Sequence, residues 1–252
     1  MPTDNENIRI DKVNDNISLI QRKSGLTFGT DALLLASFIN SKSCICAELG
    51  SGTGIISLLM LTRNKASKIY AYEIQKEYAK LTLENAELNG LKDRISVIEK
   101  DVRAATATDT DGEVDVVFTN PPYMRKGSGI NNFSDEKNIA RREVFGDIED
   151  FCKAAAKLLK YGGKFYCVYR PQRLGELIHS MTESKIEPKR LTLIYPDSDS
   201  EPSLVLMEGK YGGGKNLTIT RPLVIYNSPE HKEYTDDLKY IYDNGVFPKE
   251  RF

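Results

Sequence analysis

The apolar run Val114-Asp115-Val116-Val117-Phe118-Thr119 stops abruptly at Asn120-Pro121-Pro122-Tyr123. A short run rich in β-branched residues reads as a buried strand. Proline has no N–H to give a sheet ladder, so Pro121 and Pro122 end the strand. Pro121 also steers Asn120 out of the helical region into an extended conformation. In an open α/β sheet, ligands bind just beyond the carboxyl ends of the strands. A stiff loop at that edge would present an amide, a free carbonyl and an aromatic ring. Those groups suit a planar amine: the amide oxygen and the carbonyl accept its N–H groups, and the ring lies against its π face. A proline-rich strand exit with a packed tyrosine is the plainer reading of the same stretch.

An apolar run from Cys44 to Leu49 delivers Glu48-Leu49-Gly50-Ser51-Gly52-Thr53-Gly54, and Ile55-Ile56-Ser57-Leu58-Leu59 opens a helix. Strand, glycine turn and helix let backbone approach a cofactor closely at a helix N-terminus. The glycines alternate as G-x-G-x-G. A dinucleotide fingerprint would need its third glycine at Ile55, and a P-loop would need a lysine after the turn. A carboxylate at Glu48 would repel a pyrophosphate and suits a cationic ligand. The turn therefore reads as a site for a sulfonium and ammonium carrier, S-adenosylmethionine, with a purely structural glycine turn as the alternative. Lys68 to Glu73 is a second strand ending on an acid. Glu73 follows the glycine turn by about 20 residues, where this architecture places the acid that bonds a ribose diol. Ile95 to Glu99 alternates as a third strand, with Asp101 at its exit, placed to bond an adenine amine or to serve as an ordinary turn aspartate.

The 252 residues, 40% hydrophobic and 28% charged, suffice for one large domain with a real core, or for one domain with a small extension. Nothing resembles a transmembrane span, and the polar, acidic stretch from Met1 to Asp15 is unlike a secretory leader, so the expectation is a cytoplasmic protein away from membranes. The four cysteines follow no pairing pattern, and His179 and His231 have no second ligand at metal spacing. They read as reduced core thiols and surface imidazoles, with no metal site. A net charge of −1 gives no global attraction to nucleic acid, so an RNA partner would need local basic patches.

Other segments complete the outline. Ile17 to Gln21 has a weak strand-like alternation, and Thr30 or Asp31 can cap a helix running through Ala36. The helix from Lys76 to Leu88 closes at Asn89-Gly90. Met124 to Gly146 is long and irregular, with Arg125, Lys126, Lys137, Arg141 and Arg142 set against Asp135, Glu136 and Glu143. It reads either as a substrate-gripping loop or as a solvated charged one. Asp147 caps a helix that Gly162-Gly163 ends, and Lys164 to Tyr169 is the fifth strand. Pro171 starts another helix. Strands follow at Lys189 to Tyr195 and Leu204 to Glu208, then a flexible turn at Gly212-Gly213-Gly214-Lys215. Leu217 to Tyr226 reads as a returning strand that Pro222 places at an edge, and a helix around Thr235 to Asn244 closes the chain.

The glycine turn, Glu73, Asp101 and Asn120-Pro121-Pro122-Tyr123 together resemble the motif series of class I S-adenosylmethionine-dependent amino-methyltransferases. A narrower resemblance covers nearly the whole chain. Phe28-Gly29-Thr30-Asp31-Ala32-Leu33-Leu34-Leu35, Ala140-Arg141-Arg142-Glu143, Tyr169-Arg170-Pro171-Gln172-Arg173-Leu174 and Glu208-Gly209-Lys210 are similar to the bacterial tRNA1(Val) adenine-37 N6-methyltransferase family. Arg142 stands where many relatives have a histidine. The resemblance implies a single domain over 1–252, with 1–43 as an N-terminal extension and cap and 124–146 as a substrate loop. Its fold would be α/β: a doubly wound, mostly parallel, seven-stranded Rossmann-like sheet with a C-terminal antiparallel hairpin. It also implies roles. Gly50, Gly52, Thr53 and Gly54 with Glu48 would line the methionine part of S-adenosylmethionine. Glu73 would bind the ribose, Asp101 the adenine amine, and Ile74 and Val102 would sandwich the adenine ring. Thr30 and Asp31 would close over the donor, and Asn120 to Tyr123 would hold the target adenine. Arg125, Lys126, Arg141, Arg142 and Lys215 are the candidate phosphate contacts to a tRNA partner of a monomeric enzyme. The nearest alternative is a protein glutamine N5-methyltransferase, whose relatives carry an N-terminal helical domain that the stretch before Cys44 is too short to form. A DNA adenine methyltransferase would want a dedicated recognition domain. A non-catalytic protein binding S-adenosylmethionine or RNA is the alternative from another class, and the intact Asn120 with its three acids argues against it.

Overall fold

The computed structural model describes residues 8–23, 29–122 and 146–249. Its centre is one sheet. Strands β3 (Cys44–Leu49), β4 (Ala66–Glu73), β5 (Ile95–Glu99), β6 (Val114–Thr119), β7 (Leu159–Tyr169), β8 (Ile186–Tyr195) and β9 (Leu204–Tyr211) lie in the order β5-β4-β3-β6-β7-β9-β8. The first five are mutually parallel, and β9 runs antiparallel to both β7 and β8. This is the expected seven-stranded layout with its reversed hairpin. The order changes direction between β3 and β6, which makes the gap between their carboxyl ends the switch point where such sheets bind ligands.

Both faces are covered, so the strands read as nearly unbroken apolar runs. Alternate residues separate to opposite sides. Cys46, Ile69, Val116, Phe118, Tyr166 and Val168 join the core under α1 (Thr30–Phe38), α2 (Ile55–Thr62) and α6 (Asp236–Asn244). Ala47, Tyr70, Val117, Phe165, Cys167 and Met207 join the core under α4 (Ile148–Leu158) and α5 (Leu174–Glu183). Cys46, Cys152 and Cys167 are buried free thiols, as read from the sequence. Helix α3 (Lys76–Leu88) packs on β5 and supports a separate antiparallel hairpin, β1 (Ile8–Asn14) with β2 (Ile17–Arg22).

That hairpin is held by side-chain amides. Asn85 accepts from the Ile20 N–H at 2.6 Å and donates to the Ile20 carbonyl at 3.0 Å; Asn89 does the same to Ser18, at 3.0 and 2.8 Å. Four helical residues advance about 6 Å, close to the ~6.7 Å between alternate strand residues, so two asparagines four apart match two strand residues two apart. The helix thus serves β2 as a neighbouring strand would.

Three sequence expectations change. Helix α4 ends at Leu158, before Gly162-Gly163. Both glycines enter β7, where Gly162 has φ +81° and the pairing with β6 slips between Val114 and Val116. The glycines make a bulge that lets the strand start earlier, in place of a helix stop. The returning strand is Leu204–Tyr211, not Leu217 to Tyr226. The latter supplies only β10 (Thr218–Ile219) and β11 (Leu223–Val224), both parallel on the outer edge of β8 and separated around Pro222, which cannot donate to a ladder. Finally, the N-cap of α1 is Gly29, with neither Thr30 nor Asp31 in that position. Among the described residues no helix is long and apolar enough to cross a membrane.

Candidate active site

The glycine turn leaves β3 through residues that need left-handed backbone. Gly50, Gly52 and Gly54 have φ of +76°, +56° and +80°. A Cβ on Gly54 would fall 2.8 Å from the Thr82 methyl, whereas one on Gly52 would meet nothing within 4 Å. Gly54 is therefore a packing position and Gly52 opens onto free space. Helix α3 grips the turn from behind: Thr82 Oγ1 donates to the Gly52 carbonyl at 2.9 Å and Asn85 donates to the Thr53 carbonyl at 2.9 Å. Asn85 thus ties the hairpin and the glycine turn to one buried side chain. Sequence reading missed both residues; the signal was a polar pair within the inward stripe of α3, beside Tyr78, Leu81 and Ala86.

The acids at the strand ends divide into different environments. Glu73 is buried and accepts from the Gly52 N–H and the Gln75 N–H, each at 2.9 Å. A carboxylate offers about four lone-pair sites, so two sites remain for hydroxyl donors. Asp101 stands at the exit of β5 as expected, but its carboxylate is forked by the Arg103 guanidinium, with Nε at 2.9–3.0 Å. That hydrogen bonding holds its pKa below the usual carboxylate range. An adenine amine at Asp101 would share it with Arg103. Ile74 is half-buried after Glu73, and Val102 is buried after Asp101, on the neighbouring strand ends.

Glu48 departs from its expected part. It is 1% exposed, beneath the turn, and accepts from the Ser57 hydroxyl in the first stretch of α2. Burial pushes its pKa up to about 8, so at neutral pH the carboxyl is mainly protonated. Its carboxyl is turned to Ser57 beneath the turn and away from solvent. The spacing two residues before Gly50 suggested a charged ligand contact, and strand alternation with burial gives a core acid.

Beyond β6, Thr119 Oγ1 donates to the Leu49 carbonyl at 2.7 Å, which pins the end of β6 to the start of the glycine turn. Pro121 is buried and Pro122 exposed. The Asn120 side chain reaches α1, where its Nδ2 donates to Asp31 Oδ2 at 2.9 Å. Thr30, one residue earlier, lies beside Tyr242 of α6. The fold therefore brings Thr30, Asp31, Gly50, Gly52, Glu73, Asp101 and Asn120 to one sheet edge. Tyr123, Arg125, Lys126, Arg141 and Arg142 lie outside the described residues, as does the 124–146 loop apart from Gly146. Lys215 is exposed beyond the end of β9, at the opposite edge of the sheet. The six-residue length of β6, roughly 20 Å, separates that edge from Asn120. It does not join this site. Arg170, at the carboxyl end of β7 beside β6, is a cation at the correct edge, and donates to the Ser203 carbonyl at 3.2 Å. Among the described residues no cluster of His, Cys, Asp or Glu could hold a metal ion.

The open space above Gly52, the left-handed turn and the acids Glu73 and Asp101 at two strand ends fit the methyl donor read from the sequence. The chain is similar to a tRNA1(Val) (adenine(37)-N6)-methyltransferase of Phocaeicola vulgatus, 28% identical over 229 residues that take in 88% of this chain and 93% of that protein. It is 27% identical over 199 residues to the protein of the same name from Dyadobacter fermentans, covering 78% of this chain and 81% of the other. The crystal structure of a predicted O-methyltransferase from Agrobacterium tumefaciens superposes with a TM-score of 0.70 at 24% identity, over 86% of this chain and 98% of that one, which establishes the shared fold. Residues 23–184 match the methyltransferase small domain family, and the chain belongs to that family.

Proposed function

We propose that this protein is an S-adenosylmethionine-dependent N-methyltransferase acting on the exocyclic N6 amine of an adenine in tRNA, with position 37 of a valine tRNA as its target. The observation that carries the reading is the placement of Asn120. Its amide stands at the switch point beside the glycine turn, with its nitrogen turned to Asp31. The opposite end of the amide is an acceptor, and we assign it to the N–H groups of a planar amine. The names of the Phocaeicola and Dyadobacter relatives support the substrate class.

The donor would lie along Gly50–Gly54, with Glu73 taking the ribose hydroxyls and Ile74 and Val102 flanking the adenine. Bound there, S-adenosylmethionine supplies an electrophilic methyl group on a sulfonium. Everything else falls to the chain. An exocyclic adenine nitrogen is a weak nucleophile because its lone pair is delocalised into the ring. Asn120 Oδ1 and the Pro121 carbonyl, accepting its two N–H bonds, favour a more tetrahedral nitrogen with the lone pair aimed at the methyl. Both bonds strengthen as positive charge develops, so they act mainly on the transition state. The buried Pro121 and the Thr119–Leu49 bond keep these acceptors in place, which supplies alignment. The target base must leave its stack to enter, and Tyr123 is assigned to its face. No strong general base is required, since the methylated ammonium is acidic. Arg125, Lys126, Arg141 and Arg142, together with Arg170, are assigned to tRNA phosphates. The chain acts as a monomer in this reading.

The test is methyl transfer from labelled S-adenosylmethionine to bulk tRNA from cells lacking the protein, followed by nucleoside analysis. Label in N6-methyladenosine is expected. Label in a protein glutamine, with none in tRNA, would replace this reading by the glutamine one. Asn120→Ala should lower kcat by about 10²–10³-fold, as loss of a transition-state hydrogen bond does, with donor affinity little changed. Wild-type turnover in that variant would refute the mechanism.

A further inference from the structure

An asparagine amide has two ends of nearly equal size and opposite chemistry, and its direction is set only by its partners. Here one partner is a carboxylate. Asn120 Nδ2 donates to Asp31 Oδ2 at 2.9 Å, while Asp31 Oδ1 accepts from the Ala32 backbone N–H, also at 2.9 Å. An ionised carboxylate only accepts, so it can hold the nitrogen of Asn120 and repels its oxygen. Asp31 is itself fixed by being tied to the first turn of α1. Gly29 leaves room for it: a Cβ there would come within 2.6 Å of Asp31 Oδ1. The two residues are 89 apart in sequence, and helix α1 reaches the site only through the tertiary fold.

We infer that Asp31 is a positioning residue that orients and polarises the Asn120 amide for methyl transfer; this rests on the methyltransferase reading above. Orientation is half of the effect. With Nδ2 bound to Asp31, the acceptor end of the amide points away from the carboxylate. Polarisation is the other half. A negative charge at the N–H end draws electron density toward the amide oxygen, and chained hydrogen bonds strengthen one another. The acceptor is therefore strongest when the attacking amine gains positive charge. A merely structural Asp31, favoured by the positive end of the α1 dipole, would affect stability and leave the chemical step alone.

Four proteins decide the matter: Asp31→Asn, Asp31→Ala, Asn120→Ala and the Asp31→Asn/Asn120→Ala double variant. Asp31→Asn keeps size and the helix start, so it preserves folding, but it lets both amides flip. A charged hydrogen bond contributes enough to alter kcat by ~10- to 100-fold when lost. Both single Asp31 variants should lose that much kcat with the KM for donor within about twofold, since a positioning residue acts on the transition state. In the Asn120→Ala background the Asp31→Asn change should cost less than about twofold, because a residue acting through Asn120 has nothing left to position. Unchanged kcat with weakened donor binding would assign Asp31 to the donor and overturn the inference. Full additivity in the double variant would overturn it as well. A second readout needs no substrate. The Asn120 side-chain amide protons, assigned by their loss in Asn120→Ala, should exchange with solvent more slowly in wild type than in Asp31→Ala. Equal exchange rates refute the contact, whereas a wild type that fails to methylate tRNA refutes the function and leaves the exchange result standing.

Discussion

Replacing Glu48 by glutamine tests the claim that this acid is a neutral core residue. The carboxyl is 1% exposed, and its pKa rises from an ordinary 4.5 to about 8, burial being the chief cause and the charge of Glu73 a lesser one. The folded state therefore binds a proton that the unfolded chain releases between those values. Stability must fall as pH rises through that window, since the native state holds more protons than the unfolded state. The whole shift corresponds to at most ~5 kcal/mol. Between about pH 5.5 and about pH 8.5 the expected loss is ~3 kcal/mol, the rest falling outside that range. Glutamine keeps an oxygen for the Ser57 hydroxyl and removes the titration. Urea unfolding of both proteins across that range isolates the effect, because all other titrating groups are common to the pair. The wild type should lose ~3 kcal/mol relative to Glu48→Gln as pH rises, with Glu48→Gln the more stable at the alkaline end. A difference that is flat with pH would mean that Glu48 is ionised in the folded protein, and the correction to its role would fall with it.

The remaining predictions concern the supports of the site. Asn85→Asp keeps the acceptor for the Ile20 N–H but turns an oxygen toward the Ile20 and Thr53 carbonyls. It should lower stability by about 2–4 kcal/mol, as buried groups without donors do, and an unchanged urea midpoint would show that the amide clamp is incidental. Lys65 is buried and donates to the carbonyls of Ala36, Ser37 and Ile39, at 2.7, 3.0 and 2.7 Å, closing the C-terminal end of α1. Three carbonyls match the three N–H bonds of an ammonium, so Lys65→Met, similar in length, should cost about 2–4 kcal/mol. Hydrogen exchange in α1 should quicken first, and uniform quickening across the sheet would contradict a local role.

Much of this architecture was legible in the chain because local physics decides it. The β6 run ending at Pro121, the β3 run ending at Gly50 and the alternation through β4 and β5 each carry their own stop signals, and the observed strands end there. Asp147 caps α4 as the sequence suggested, Asp150 completes a capping box with it, and Thr235 caps α6. Failures came where one local signal had two outcomes. Gly162-Gly163 could stop a helix or bulge a strand, and pairing with β6 chose the second. Pro222 marked an edge correctly, but which of two strands returns antiparallel is set by the partners available to β7 and β8.

For the site, sequence placed Gly50, Glu73, Asp101 and Asn120 at strand ends, since period-two alternation and chain-breaking residues fix where each strand stops. What those side chains touch depends on distant segments. Glu48 turns inward to Ser57, Glu73 takes the Gly52 N–H, and Asn120 finds Asp31 across 89 residues. Lys215 was grouped with the site by charge alone, and sheet topology carries it to the far edge. A strand's end is a property of a few consecutive residues; the partner and the protonation state of a side chain belong to the environment that packing creates.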